Sequence, residues 1–172
     1  LDKSVANLKS RNIFNTVKSN VLNGSSNDLR IIEINVEEKP TGEISAGAGI
    51  GTNGGTFAFD IKENNWLGEG KTVGINFEVS EESLKGKLSY INPNYDLLGN
   101  SIEYALQSTT NDKPDQGYEN KLFSVGAGTS FEQFKDIFTT LGVNLSYDDL
   151  RTTSNASSSL KKQSGDFTDL AV

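Results

Sequence analysis

The stretch Pro40-Thr-Gly-Glu-Ile-Ser-Ala-Gly-Ala-Gly-Ile-Gly-Thr-Asn-Gly-Gly55 determines how the rest of the chain is interpreted. Apolar residues alternate with small or polar ones, so that two sets form: Ile44, Ala46, Ala48 and Ile50 on one side, and Glu43, Ser45, Gly47 and Gly49 on the other. A period of two is typical of a β-strand with two unlike faces. The glycines and asparagine of residues 51–55 suit the positive backbone angles of a hairpin turn. The stretch therefore predicts a strand and a tight turn into a second strand.

The same alternation continues to the end of the 172-residue chain. It predicts eight strands over residues 40–172, the last beginning at Phe167, with no helical period between them. Two longer connections are expected: a polar loop from Thr109 to Glu119, and a mobile loop from Thr152 to Gly165 that is rich in Ser and Lys. Sequential hairpins of this kind indicate a mainly β fold, an antiparallel up-and-down meander that must either close or be covered.

Residues 1–39 follow a different pattern. Leu1, Val5 and Leu8 recur at a helical spacing, and an extended segment, a turn at residues 23–27 and a β-branched run from Leu29 to Val36 follow. One helix and two strands are too little to bury a core. We therefore expect these residues to be the C-terminal part of a small α+β domain, and the chain to be a piece of a longer protein.

The composition argues against several classes of function. Lys plus Arg is 16 and Asp plus Glu is 23, a net charge of −7, whereas a protein that binds nucleic acid normally carries a basic surface. The sequence has no His and no Cys, which removes Ser-His-Asp triads, thiol nucleophiles and the usual zinc ligands. We expect no catalytic residue, no cofactor, no metal and no nucleic-acid partner, and a protein that is not an enzyme.

Strand length and the placement of aromatic residues point to a lipid bilayer. Most predicted strands reach roughly 9–11 residues, which suffices for a tilted strand to span a membrane, whereas globular strands average about 5–6 residues. The return turns on one side are marked by aromatic residues, which an interfacial girdle would require. These predicted membrane-interface residues are Trp66, Tyr90, Tyr95, Phe131 and Phe134.

Five segments carry a resemblance to a known family. Residues 40–55 are similar to the first barrel hairpin of the BamA family of the Omp85 superfamily, and Glu63-Asn-Asn-Trp-Leu-Gly-Glu-Gly-Lys-Thr-Val-Gly-Ile-Asn76 resembles its next turn and third strand. Ile91-Asn-Pro-Asn-Tyr95 looks like the following turn. Upstream, residues 8–17 and 31–39 resemble the closing helix and strands of the last POTRA domain.

The resemblance implies a fold, a location and partners. Residues 1–39 would be the C-terminal part of a periplasmic POTRA domain, and residues 40–172 the N-terminal part of a sixteen-stranded transmembrane β-barrel in the outer membrane of a Gram-negative cell. Members of this family insert and fold other β-barrels without nucleotide or covalent chemistry. The implied partners are nascent outer-membrane β-barrel proteins, accessory assembly lipoproteins and the lipid bilayer.

The first barrel strand suggests a mechanism for that activity. Its outward residues Ala46 and Ala48 are small, and Gly47 and Gly49 leave its other face bare. Glycine weakens a strand and lets another backbone approach, and an unpaired edge in lipid seeks a partner. We hypothesise a weak lateral seam where a client strand pairs with the whole of this edge: Glu43, Ile44, Ser45, Ala46, Gly47, Ala48, Gly49 and Ile50.

Two alternatives stay open from the sequence. A polypeptide transporter of the same superfamily, of the two-partner secretion or translocation type, would have a similar sheet but would pass its substrate through the lumen. A soluble up-and-down barrel that holds a small ligand would show the same alternation, because a period of two does not tell whether the apolar face points inward or outward.

Overall fold

The computed structural model describes residues 1–51 and 54–172. Thr52 and Asn53, which belong to the predicted first hairpin turn, lie outside these residues. The described residues form α1 (Asp2–Ser10), β1 (Phe14–Asn23), β2 (Arg30–Glu38), β3 (Gly42–Gly51), β4 (Gly54–Trp66), β5 (Lys71–Ser80), β6 (Ser83–Asn92), β7 (Ser101–Lys113), β8 (Tyr118–Phe134), β9 (Ile137–Thr152), α2 (Ser158–Gln163) and β10 (Gly165–Ala171). Over the residues described, no helix has both the length and the apolar character needed to cross a membrane.

The N-terminal segment has the predicted order of helix, strand, turn and strand. β1 and β2 pair as a separate antiparallel hairpin. Ile13 and Val17 are buried, and the remaining apolar residues of the hairpin are mostly exposed. The Lys39 N–H donates to the Ile13 carbonyl oxygen at 3.2 Å, and Lys39 Nζ donates to Asn12 Oδ1 at 2.7 Å. These bonds tie the start of β1 to the end of β2, next to the first strand of the larger sheet. The assignment of residues 1–39 to a POTRA domain stays a prediction.

The predicted eight-stranded meander is confirmed. β3 to β10 lie side by side in chain order, and each strand pairs antiparallel with its neighbours. The sheet is open, with β3 and β10 at its two edges. β3 to β9 are 10 to 17 residues long, several of them longer than the sequence predicts.

The predicted polar loop from Thr109 to Glu119 is wrong. β7 continues to Lys113 and β8 begins at Tyr118, so that residues 114–117 alone form the turn. The extension carries mostly polar side chains, and its Asn111 accepts a hydrogen bond from Ser83 Oγ at 3.0 Å. Backbone pairing satisfies the same amide groups whether or not one face is apolar. A prediction based on apolar alternation therefore ends such a strand too early.

The predicted loop from Thr152 to Gly165 contains a short helix that the sequence pattern does not predict; the mobility of the loop stays a prediction. The helix is α2, whose first turn is capped by Ser157 Oγ, which accepts from the Leu160 N–H at 3.3 Å. Ala156 is buried, and the Thr153 N–H donates to the Gly117 carbonyl oxygen at 2.8 Å. The Thr153 hydrogen bond attaches the segment to the β7–β8 turn, and the N-cap serine satisfies a free amide at the start of the short helix.

Candidate membrane-facing wall and free edge strand

The register of the sheet separates apolar and polar residues completely at its centre. One line of directly paired residues runs across all eight strands and is aliphatic throughout, and we call it the apolar row: Ile44, Ile61, Ile75, Leu88, Leu106, Val125, Leu145 and Leu170. The adjacent line, on the other face, is polar throughout, and we call it the polar row: Ser45, Asp60, Asn76, Lys87, Gln107, Ser124, Ser146 and Asp169. Successive residues of a strand point to opposite faces, so the two rows define two different environments.

The face that carries the apolar row is uncovered. Its side chains are from 42% exposed at Leu106 to 73% at Ile44 among the residues that rank as exposed. The buried apolar residues of the described chain, Ile13, Val17 and Ala156, all lie outside this face. Monomeric soluble proteins rarely leave a continuous apolar surface of this extent in water. The face therefore requires an apolar neighbour.

The height of the apolar face matches a membrane. On β9 the residues of this face run from Ile137 through Leu141 to Tyr147, and charged Asp149 and Arg151 follow on the same face. Ten residue steps span about 33 Å along a strand, which a tilt of about 40° reduces to about 25 Å. An apolar band of about 25 Å is typical of outer-membrane barrels.

β3 is the free edge next to the N-terminal segment, and it contains the residues that the sequence predicts to receive a client strand. Among the residues that the structure describes, it pairs with β4 alone, and all ten of its residues are exposed. A Cβ added at Gly47 or Gly49 would meet no atom within 4 Å. At Gly74, within the sheet, an added Cβ would lie 2.7 Å from Ser89 Oγ. Crowding therefore does not explain the glycines at positions 47 and 49, and these two glycines leave open space on the polar face.

The middle of β3 also carries only short side chains on the apolar face. Ala46 lies opposite Phe59 and Ala48 lies opposite Phe57, so that methyl groups border phenyl rings. A step of this kind lets a further strand approach the edge without displacing large side chains. In the middle of the strand, the side chains on the apolar face are therefore shorter on β3 than on its neighbour β4.

The beginning of β3 is held to β4 by side-chain hydrogen bonds that the period-two pattern of the sequence does not predict. Asn64 Nδ2 donates to the Thr41 carbonyl oxygen and to Glu43 Oε1, both at 3.1 Å. The Thr41 hydroxyl donates to the Glu63 carboxylate. These residues lie 21 to 23 positions apart, and only the β3–β4 register brings them together. The run Glu63-Asn64-Asn65 before Trp66, polar at the end of an otherwise alternating strand, is a signal that could have drawn attention to them.

The five predicted interface aromatics lie at one end of the sheet, which we call the near end: the end with the β4–β5, β6–β7 and β8–β9 turns. Trp66, Tyr90, Phe131 and Phe134 are on the face of the apolar row, and Tyr95 lies in the β6–β7 turn. The Tyr90 ring stacks on Tyr104, with ring centroids 6.2 Å apart. The opposite end, with the β5–β6, β7–β8 and β9–β10 connections, is called the far end.

These features define a class of protein. A single sheet of long antiparallel strands, apolar on one face and polar on the other, has the architecture of a β-barrel wall of the outer-membrane type. Residues 65–172 match the Omp85 superfamily domain, and the chain belongs to the Omp85 superfamily.

Individual relatives agree with that membership. The fold is similar to the crystal structure of BamA from Haemophilus ducreyi lacking POTRA domains 1–3, with a TM-score of 0.74, 23% identity, and coverage of 88% of this chain and 30% of that one. A protein of Treponema pallidum (strain Nichols), provisionally named an outer membrane protein assembly factor, is 33% identical over 95 residues. That match covers 51% of this chain and 11% of the relative, so the chain spans a small part of the relative's length.

Proposed function

We propose that this chain forms part of the wall of an outer-membrane protein that inserts and folds other β-barrels. Residues 40–172 contribute the first eight strands of the barrel, and residues 1–39 close a POTRA domain on the periplasmic side. The observation that supports the membrane wall most directly is the apolar row, which crosses eight strands without a polar interruption. An equally continuous polar row lies on the opposite face of the sheet. The first face meets lipid, and the second lines a hydrated lumen.

The assembly role rests on the family and on β3. The name of the Treponema pallidum relative describes an assembly factor, and the fold resembles BamA. In the complete barrel, β3 meets the closing strand along an edge of small residues. Because an unpaired backbone group in lipid costs several kcal/mol, opening this seam creates a strong demand for a new strand. A nascent barrel protein supplies that strand, and pairing with β3 guides its insertion.

The fastening of β3 fits this mechanism. The hydrogen bonds of Asn64 and Glu63 hold the near end of the strand, whereas its middle, from Ala46 to Gly49, depends on backbone pairing with β4. The seam would thus open along the strand while its start stays attached. Accessory assembly lipoproteins are proposed partners on the periplasmic side, by family alone.

Site-specific crosslinking tests the proposal. A cysteine at Ala46 in the full-length protein, in membranes that are actively assembling barrels, should form an adduct with the terminal strand of a nascent client. The matched control is Ala127, the same residue type on the same face but on interior strand β8. Adducts at Ala46→Cys and not at Ala127→Cys support the seam. Equal yields at both positions, or none at Ala46→Cys, contradict it.

A further inference from the structure

The two ends of the sheet differ in what their connections expose. Between the strands, the near-end β4–β5 and β6–β7 turns carry exposed large apolar side chains, whereas the far-end connections at 81–82, 114–117 and 153–164 expose none in the part of the chain that is described. The apolar residues in or beside the near-end turns are Trp66, Leu67, Tyr95, Leu97, Leu98, Phe134, Ile137 and Phe138. Leu67 and Leu98 are 80% and 85% exposed, and Leu97 is fully exposed.

The β6–β7 turn presents its leucines on a rigid support. Asp96 Oδ1 accepts from the N–H groups of Leu98 at 2.9 Å and Asn100 at 3.1 Å, and Asn100 Nδ2 donates to Asp96 Oδ2 at 2.6 Å. The Tyr95 N–H closes the turn by donating to the Asn100 carbonyl oxygen at 2.8 Å. Gly99 supplies the positive φ of 83° that the last step requires. The same hydrogen bonds, above all that from the Asn100 backbone, lower the pKa of Asp96.

The β4–β5 turn is built in a similar way. The Asn65 side-chain oxygen accepts from the Gly70 N–H at 2.7 Å, and the Gly68 N–H donates to the Asn65 carbonyl oxygen at 2.9 Å. Leu67 itself has a positive φ of 57°, an unusual conformation for a leucine, and its side chain is largely exposed. Both leucine-bearing near-end turns therefore have a backbone that is defined by hydrogen bonds within the turn.

The arrangement of the turns favours a lipid surface as the neighbour. The first and last near-end turns are four strand spacings apart, about 19 Å along the wall, so their apolar tips form an arc and not a compact patch. The arc continues the apolar face, since Trp66, Tyr90 and Phe134 lie on that face immediately above the tips. Each turn also carries an acidic residue, namely Glu69, Asp96 or Asp136. Mixed charged and apolar side chains are typical of the interfacial layer of a bilayer.

We propose that Leu67, Leu97 and Leu98 are anchors that insert into the headgroup–acyl boundary of the near-side leaflet. This inference rests on the proposed membrane wall and extends it, because the anchors lie in the turns beyond the aromatic residues of the strands. A curved lipid surface offers apolar contact to every tip along the arc, whereas a single globular partner would cover one or two of them.

Depth-dependent fluorescence quenching tests the anchors in the full-length protein, reconstituted in phosphatidylcholine–phosphatidylglycerol vesicles. An environment-sensitive probe is attached to a cysteine at Leu98, at Asp115 in the far-end β7–β8 turn, or at Leu88 of the apolar row. Nitroxide lipids labelled near the headgroup should quench the Leu98→Cys probe at least about twofold more than the Asp115→Cys probe, because an inserted side chain lies at headgroup depth. Aqueous iodide should show the reverse order.

The Leu88 probe distinguishes a failure of the leucine anchors from a failure of the proposed membrane wall. Lipid quenching at Leu88→Cys and Leu98→Cys, without quenching at Asp115→Cys, supports the anchors. If the Leu88 probe is quenched by lipid and the Leu98 probe behaves like the Asp115 probe, the anchors are overturned and the membrane wall stands. An unquenched Leu88 probe contradicts the wall itself and the anchors with it.

Discussion

The edge strand β3 and the interior pair of β8 and β9 differ in length, in side-chain size and in how much of each strand is paired. β3 has 10 residues, alternates Ala or Ile with Gly or small polar side chains, and is exposed along its whole length. β8 and β9 have 17 and 16 residues, pair with each other from end to end, and extend past the apolar face into a hydrogen-bonded far-end structure. The β8–β9 pair therefore has more paired residues than the β3–β4 pair. If β3 is the seam proposed above, the wall would open beside the shorter of these two pairings.

The largest effect is expected for a charge in the interior of the apolar row. Leu106→Arg on β7 should lower the free energy of unfolding by about 2–4 kcal/mol, the penalty typical of a basic residue at the midplane of a membrane barrel. Denaturant titration of the full-length protein in lipid vesicles measures this loss. Gln107→Arg, one residue further and in the polar row, is the control and should leave the stability nearly unchanged. Equal losses for both substitutions would mean that the two faces are not in different environments.

The effect of a Gly→Ala substitution on the free energy of unfolding should differ between the interior β7–β8 hairpin and the edge strand β3. Gly117 has a positive φ of 76°, and a Cβ there would lie 2.5 Å from the Ala156 backbone nitrogen. Gly117→Ala should therefore destabilise the protein by about 1–3 kcal/mol, because backbone strain and overpacking act together. The measurement is again the free energy of unfolding in vesicles.

The matched substitution is Gly47→Ala, where the added methyl group meets open space. It should leave stability unchanged or raise it by up to about 1 kcal/mol, since alanine has less chain entropy to lose than glycine. If the seam is used by clients, the same substitution should slow their assembly in a reconstituted assay. A loss of stability at Gly47→Ala would show that β3 is packed more tightly than this structure indicates.

The sequence predicted the meander well because its signal is local. Each residue from Ile44 to Ile50 alternates with its neighbour, and this repeats on every strand down to Leu145, so that both faces and the number of strands follow from a period of two. The end of β7 was not predictable in this way, since Thr110 to Lys113 pair in water with no apolar face to mark them. Features that depend on register, such as the contact between Thr41 and Glu63, require residues that are far apart in the chain.

A smaller effect is expected where β3 is fastened. Asn64→Ala removes two hydrogen bonds, to the Thr41 carbonyl and to Glu43, and should lower the free energy of unfolding by about 0.5–1.5 kcal/mol, the usual net value for partly exposed bonds. Hydrogen exchange should rise at the backbone amides of residues 42–45 and not on β9. Asn94→Ala, at an exposed near-end position, is the control. If hydrogen exchange at residues 42–45 does not change, backbone pairing between β3 and β4 holds the start of β3 without help from the Asn64 side chain.

The smallest expected effect concerns the β6–β7 turn and depends on pH. The pKa of Asp96 is lowered in the folded turn, chiefly by the hydrogen bond from the Asn100 backbone, relative to an ordinary value of about 3.9 in the unfolded chain. The ionised carboxylate therefore stabilises the turn fully above the unfolded value, and this contribution is lost as the pH falls through the lower folded pKa. Hydrogen exchange at Leu98 and Asn100, corrected for intrinsic rates, should show a protection that declines only below about pH 4. Asp96→Asn keeps an oxygen acceptor but removes the charge, so its protection should be weaker at neutral pH and should not vary with pH. Because the rigid turn is what presents Leu97 and Leu98, a protection in the native protein that is independent of pH would indicate that the backbone, and not the Asp96 carboxylate, holds the two leucines in place.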